Sequence, residues 1–212
     1  QLLLDHHRLY EDIWSDQPPL FTLMLAGIFG LFGETVVAGR FLVLVLACLA
    51  LLSLSYIATQ MAAKAAGLLS ACALALFPHF QELSQLIMIG LPSISFGLLA
   101  IALGFRYRNA GKKRWLLLTG FFFSLGLLIK PLIAPMLLPL LILSLDMQKK
   151  SRTIQKRVRG GMLFALAAFV PVLIALVLCS PRAFMRQVAG TLFEAREAHG
   201  SRSYALENVR QI

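Results

Sequence analysis

The chain is a succession of apolar stretches too long and too closely spaced for a water-soluble core. Residues 36–58, 65–77, 86–105, 115–129, 132–145 and 160–178 are built mainly from Leu, Ala, Ile, Val and Phe. A helix needs about 20 mostly apolar residues to cross a ~30 Å hydrocarbon core. Inside lipid the backbone must satisfy its own N–H and C=O groups, which makes the helix the natural element for such runs. Composition points the same way. Of 212 residues, 58% are hydrophobic and only 14% charged, and mean hydropathy is +0.78. A typical soluble domain carries about 25% charged residues. The expected fold is all-α, a polytopic membrane helical bundle.

The net charge of +10 and the pI of about 10.1 would suggest nucleic acid in a soluble chain. Here the positive charge gathers in two connectors between apolar runs. One holds Arg106, Arg108, Lys112, Lys113 and Arg114; the other holds Lys149, Lys150, Arg152, Lys156, Arg157 and Arg159. That is the positive-inside pattern, and no nucleic-acid partner is expected. Two runs separate the connectors, as they must if both are cytoplasmic. Counting back, residues 59–64 are cytoplasmic too. Residues 1–35, residues 78–90, Lys130-Pro131 and the tail from 180 then share the opposite side. The expected organisation is an outer loop (1–35), a bundle of six spans (36–179) and an extracytoplasmic segment (180–212). The chain opens on Gln1 and ends on Ile212, and further sequence is expected on both sides.

This count brings the chemistry-bearing residues to one face. Asp5, Glu11, Asp12, Asp16, Glu34, Glu82, Glu194 and Glu197 converge there with Arg40, Lys130, Arg182, Arg186 and the histidines. The densest cluster is Tyr10-Glu11-Asp12-Ile13-Trp14-Ser15-Asp16-Gln17-Pro18-Pro19. A carboxylate at the membrane edge can act as a general base toward an acceptor hydroxyl or amine. Asp12 and Asp16 are the candidates for that role. Arg and Lys nearby can hold a phosphate leaving group, Arg through its bidentate fork. Arg40 near a span's start, and Lys130 between two runs with almost no loop, fit this use. Tyr10, Gln17 and Glu82 complete the expected substrate-binding set. Adjacent His6 and His7 point apart on a helix and do not form a ligand pair unaided. No metal residue is assigned, and a divalent metal is the one cofactor allowed for, without a place. Cys48, Cys72 and Cys179 lie in or beside apolar runs, with no metal-like spacing, and are expected as packing residues. The run 20–32 is only ~20 Å long as a helix, too short to span. It is expected to lie at the interface as a juxtamembrane helix.

Tyr10-x-Asp12-x-x-x-Asp16-Gln17-Pro18-Pro19-Leu20, followed by Leu31-Phe32-Gly33 and Ala38-Gly39-Arg40-Phe41, resembles the first outer loop and following helix of glycosyltransferase family 39. These are GT-C enzymes, with protein-mannosyltransferase-like and aminoarabinose-transferase-like members in bacteria. Gly126-Leu127-x-x-Lys130-Pro131 resembles a second recurrent segment of that family. The resemblance implies a polyprenyl-phosphate-linked sugar donor, an inverting transfer, juxtamembrane helices in the first loop, and a site on the extracytoplasmic side of a bacterial inner membrane. It also implies a catalytic Asp before Gln1, and an acid ahead of the proline that opens a later span. The matching place here is Gly90-Leu91-Pro92, without a carboxylate, and Glu82 is the residue that can substitute. Gln17 stands where the family often has Lys.

The expected function is therefore transfer of a sugar from a polyprenyl-phosphate donor to a lipid, glycan or protein acceptor. A transporter or flippase of a lipid-linked substrate is the alternative. It needs charges at mid-span depth and broken helices, whereas Arg40 and Lys130 lie at the ends of runs. A non-catalytic membrane subunit is the third reading, kept by the carboxylate missing before Pro92.

Overall fold

A computed structural model describes residues 17–145 and 154–178. Every regular element in them is helical: α1 (Leu20–Phe32), α2 (Val36–Met61), α3 (Lys64–Leu76), α4 (Pro78–Gln85), α5 (Gly90–Ala110), α6 (Lys113–Leu127), a 3₁₀ segment η1 (Pro131–Met136), α7 (Leu137–Ser144) and α8 (Ile154–Leu178). The all-helical bundle read from the sequence is what forms. α2, α5 and the Val158–Val177 part of α8 are each long and apolar enough to cross a membrane. α1, α3 and the stretch Pro131–Ser144 are shorter apolar helices, and α6 has 15 residues.

The long helices bury one stripe and show the other to lipid. In α2 the buried positions include Leu42, Val43, Leu46, Ala47 and Ala50, at the 3–4 residue spacing of one helical face. Val37, Phe41, Leu44 and Leu52 on the same helix are exposed. Because lipid is as apolar as Leu, close helix packing relies on small residues. A side chain at Gly120 would collide with the α8 backbone at Phe164 and Ala168, and one at Gly104 would press on Leu143.

Several boundaries move from where the runs suggested, each for a local reason. The span expected over 132–145 is split into η1 and α7. Pro131, Pro135 and Pro139 recur every fourth position, and a proline has no N–H for the carbonyl four residues back. The backbone adopts i→i+3 bonding instead, with the Leu137 N–H donating to the Ala134 carbonyl. The polar stretch at 78–82 is not a connector: Pro78 opens α4 from its first position, where a missing N–H costs nothing. The run expected from 86 becomes helical only at Gly90. The first basic connector is largely helix, since α5 continues to Ala110 and stops at Gly111, whose φ of 66° provides the left-handed cap.

The helices alternate between two ends of the bundle. At one end Asn109 Nδ2 donates to Gln60 Oε1 (2.6 Å), tying the last turns of α5 and α2. Gly160 at the start of α8 sits against Ser144 at the end of α7 and near Tyr107 of α5. The other end holds the starts of α2 and α5, the end of α6, α1 and α4. Its core gathers Phe21, Val43, Phe80, Leu91 and Phe96 from four helices and Ile129 from the turn after α6.

Candidate active site

Gln17, Pro18 and Pro19 lead into α1. Pro19 is fully buried and Gln17 half-buried. The Leu20 N–H, left without an intrahelical partner at the first position of α1, donates to the Leu128 carbonyl at 3.1 Å. This bond joins the two segments that carried the family resemblance, far apart in sequence. At the opposite end of α1, Phe29 approaches Gly39 of α2. The helix therefore bridges the end of α6 to the first turns of α2, and its length does not span.

The segment around Lys130 is shaped by two residues, Gly126 and Pro131. Gly126 accepts from the Ile129 and Lys130 N–H groups (3.1 and 3.0 Å), closing the end of α6 in a tight turn. A side chain at Gly126 would meet Ile133 Cδ1 at 2.5 Å and the Ser93 carbonyl at 3.1 Å, so glycine lets η1 fold back over α6 beside α5. Pro131 opens η1, and the residue before a proline is driven to extended backbone. Lys130 obeys, at φ −154° and ψ 124°. Its side chain is half-buried, next to fully buried Ile129.

The other expected residues are distributed around the same end. Arg40 is exposed on α2, in the outward stripe with Val36, Val37, Phe41 and Leu44, whereas the buried stripe of α2 packs in the core that holds Ile129. Glu82 is exposed on α4 and lies 3.5 Å from His79 Nδ1. Among the described residues, no ion pair or hydrogen bond joins Arg40, Glu82 and Lys130 to one another. Glu34, on the turn before α2, is exposed at this end too. Tyr10, Asp12 and Asp16 fall outside the described residues, as do His6 and His7.

His79 was not among the expected binding residues. It lines an apolar slot of about 260 Å³ formed by α2, α3, α4 and the start of α5, including Phe80, Leu83, Gly90 and Leu91. Its signal in the sequence was the His79-x-x-Glu82 spacing, meaningful only on a helix, and Pro78 disguised that helix as a break. The slot also explains the place of Leu91, which matches the missing acid: it is buried in the core against Phe80. A second apolar slot, about 200 Å³, lies between Pro19, Leu20 and Leu23 of the α1 segment, Leu125 and Leu128 of α6, and Pro171 and Ile174 of α8. Among the described residues no three potential ligands cluster to hold a metal ion.

This end thus offers Lys130 on a half-buried turn, exposed Arg40, Glu34 and Glu82, and two apolar slots. Such an arrangement suits a lipid-linked anion, its head at the rim and its tail among apolar walls. Residues 16–175 match the sequence pattern of the family described as dolichyl-phosphate-mannose-protein mannosyltransferase. No curated protein and no solved structure matches the chain. The family match runs over well more than half of the 212 residues, and the chain belongs to the dolichyl-phosphate-mannose-protein mannosyltransferase family, a membrane glycosyltransferase drawing its sugar from a polyprenyl-phosphate carrier.

Proposed function

We propose that the chain forms the membrane core of an inverting glycosyltransferase acting on the extracytoplasmic face. The acceptor is a hydroxyl- or amine-bearing lipid, glycan or protein. Its nucleophile attacks the anomeric carbon from the face opposite the phosphate. The bond between that carbon and the phosphate oxygen breaks, its electron pair stays with the phosphate, and the configuration inverts. Asp12 or Asp16 accepts the proton of the nucleophile. Lys130 neutralises the departing polyprenyl phosphate; Arg40, in the outward stripe of α2, is turned away from that turn and does not share this role. Tyr10, Gln17 and Glu82 position the sugar and acceptor. With Gln17 in place of the frequent Lys, the cationic load falls on Lys130.

The observation that supports this reading is the hydrogen bond from the Leu20 N–H to the Leu128 carbonyl. It fixes the Pro18-Pro19-Leu20 segment beside the turn that bears Lys130, so two segments distant in sequence meet at one place. Six passes through the bilayer are part of the proposal, supported by the alternation of helix ends and by the basic residues collected at one of them. Asp12→Asn, Asp16→Asn and Lys130→Gln should each insert normally. Loss of a general base typically costs 10²–10⁴-fold in rate, and at least one aspartate variant should fall by about that much. The assay is transfer from a labelled polyprenyl-phosphate sugar in membrane vesicles. Full activity in both aspartate variants would overturn the assignment of the base, and full activity in Lys130→Gln that of the phosphate site.

A further inference from the structure

At the opposite, basic end of the bundle, α2 and α5 leave a slot of about 170 Å³ between them. Its lining recurs at i, i+3, i+4 and i+7 on both helices, from Leu49 to Tyr56 and from Leu99 to Arg106. Both helices run the same way, so the apolar parts of the two stripes align and the polar ends, Tyr56 and Arg106, lie together. One turn further on, the Asn109–Gln60 hydrogen bond joins the two helices beyond the mouth. The volume is below the ~300–1,000 Å³ of sites that enclose a whole small molecule. It fits a length of hydrocarbon chain lying along the helices, and Leu52, 70% exposed, leaves the side open to lipid.

Arg106 is held beside an aromatic ring. Its guanidinium lies 4.5 Å from the centre of the Trp115 ring, which Arg114 also faces at 5.0 Å. A ring accepts no conventional hydrogen bond from the guanidinium fork, so N–H donors remain for an anion. Arg106 has no ion pair among the described residues, and the described carboxylates, Glu34 and Glu82, are at the far end. Exposed Lys112 and Lys113 add positive charge nearby. Ser53 lines the slot, is only 4% exposed, and has no hydrogen-bond partner among the described residues. The basic end is the cytoplasmic one by the positive-inside rule, and that leaflet is the one with anionic lipid.

We propose that this slot is a binding site for an anionic phospholipid, with one acyl chain between α2 and α5 and the phosphate on Arg106. The site is separate from the transfer chemistry and does not depend on it. The test is the purified protein in neutral detergent, given phosphatidylglycerol or phosphatidylcholine with identical acyl chains. Native mass spectrometry should show one phosphatidylglycerol retained in preference to phosphatidylcholine, and phosphatidylglycerol alone should raise the thermal midpoint. Arg106→Gln should lose about fivefold of that preference, the worth of one basic residue at an anionic surface. Leu103→Trp, which fills the slot and spares the cation, should also lose the retained lipid. Equal retention of both lipids, an unchanged preference in Arg106→Gln, or the same thermal shift from inorganic phosphate alone would each overturn the site.

Discussion

At the residue scale, Gly126 and Ser93 touch the same junction from two sides. Gly126 is glycine because η1 and the Ser93 carbonyl leave no room for a side chain. Gly126→Val should destabilise the folded protein by about 1–3 kcal/mol through overpacking, and it should lower transfer as well, because the Lys130 turn closes on the Gly126 carbonyl. A thermal melt in detergent read alongside transfer checks both. Ser93 behaves unlike its neighbours. Ser95, Thr119, Ser124 and Ser144 each donate a hydroxyl to a carbonyl three or four residues back. The Ser93 hydroxyl is buried without a partner among the described residues, and an unsatisfied buried polar group costs about 1–3 kcal/mol. Ser93→Ala should therefore melt no lower than the parent. A clear drop in midpoint would mean that the hydroxyl is satisfied in the membrane.

At the scale of elements, α1 decides whether the two family segments meet. Phe21 is 4% exposed and anchors α1 in the core with Val43, Leu91 and Ile129. Phe21→Ala removes that anchor, a loss of about 3–5 kcal/mol for a buried aromatic. The expected result is faster maleimide labelling of a cysteine placed at Gln17, together with reduced transfer. Unchanged labelling would mean that the Leu20–Leu128 bond alone holds the segment. α1 was legible in the sequence as a short apolar run bounded by Pro18-Pro19 and Gly33. α2 and α5 were legible because unbroken apolar runs admit little else in lipid. The division into η1 and α7 was not read, although Pro131, Pro135 and Pro139 carried it, because hydropathy counts a proline as a mild residue while its backbone effect is large. α4 was not read because residues 78–82 are polar and carry no apolar run, while Pro78 at its first position starts the helix. Of the site, the kinship of the Lys130 segment with Gln17–Leu20 could be named from motifs. Their contact could not, since it rests on one backbone hydrogen bond that any side chain would allow. Arg40 shows the reverse limit: its motif was recognisable, but only the helical phase of α2 reveals that it stands in the outward stripe.

At the scale of the whole molecule, charge is sorted between the two ends. Glu34, Glu82 and His79 lie at one; Arg106, Arg108, Lys112, Lys113 and Arg114 lie at the other. Single cysteines at His79 and at Lys112, probed with an impermeant reagent on intact cells, should react from opposite compartments. Labelling of both from the same side would remove the basis for a single catalytic face. One short element has a consequence for the lipid itself. α6, at 15 residues, reaches only about 22 Å, well short of a ~30 Å hydrocarbon layer. A bilayer meets such a deficit by thinning beside the short helix. Headgroups there ride lower, so a carrier phosphate drifting along the sunken surface would come level with Lys130 while its isoprenoid tail stays in oil.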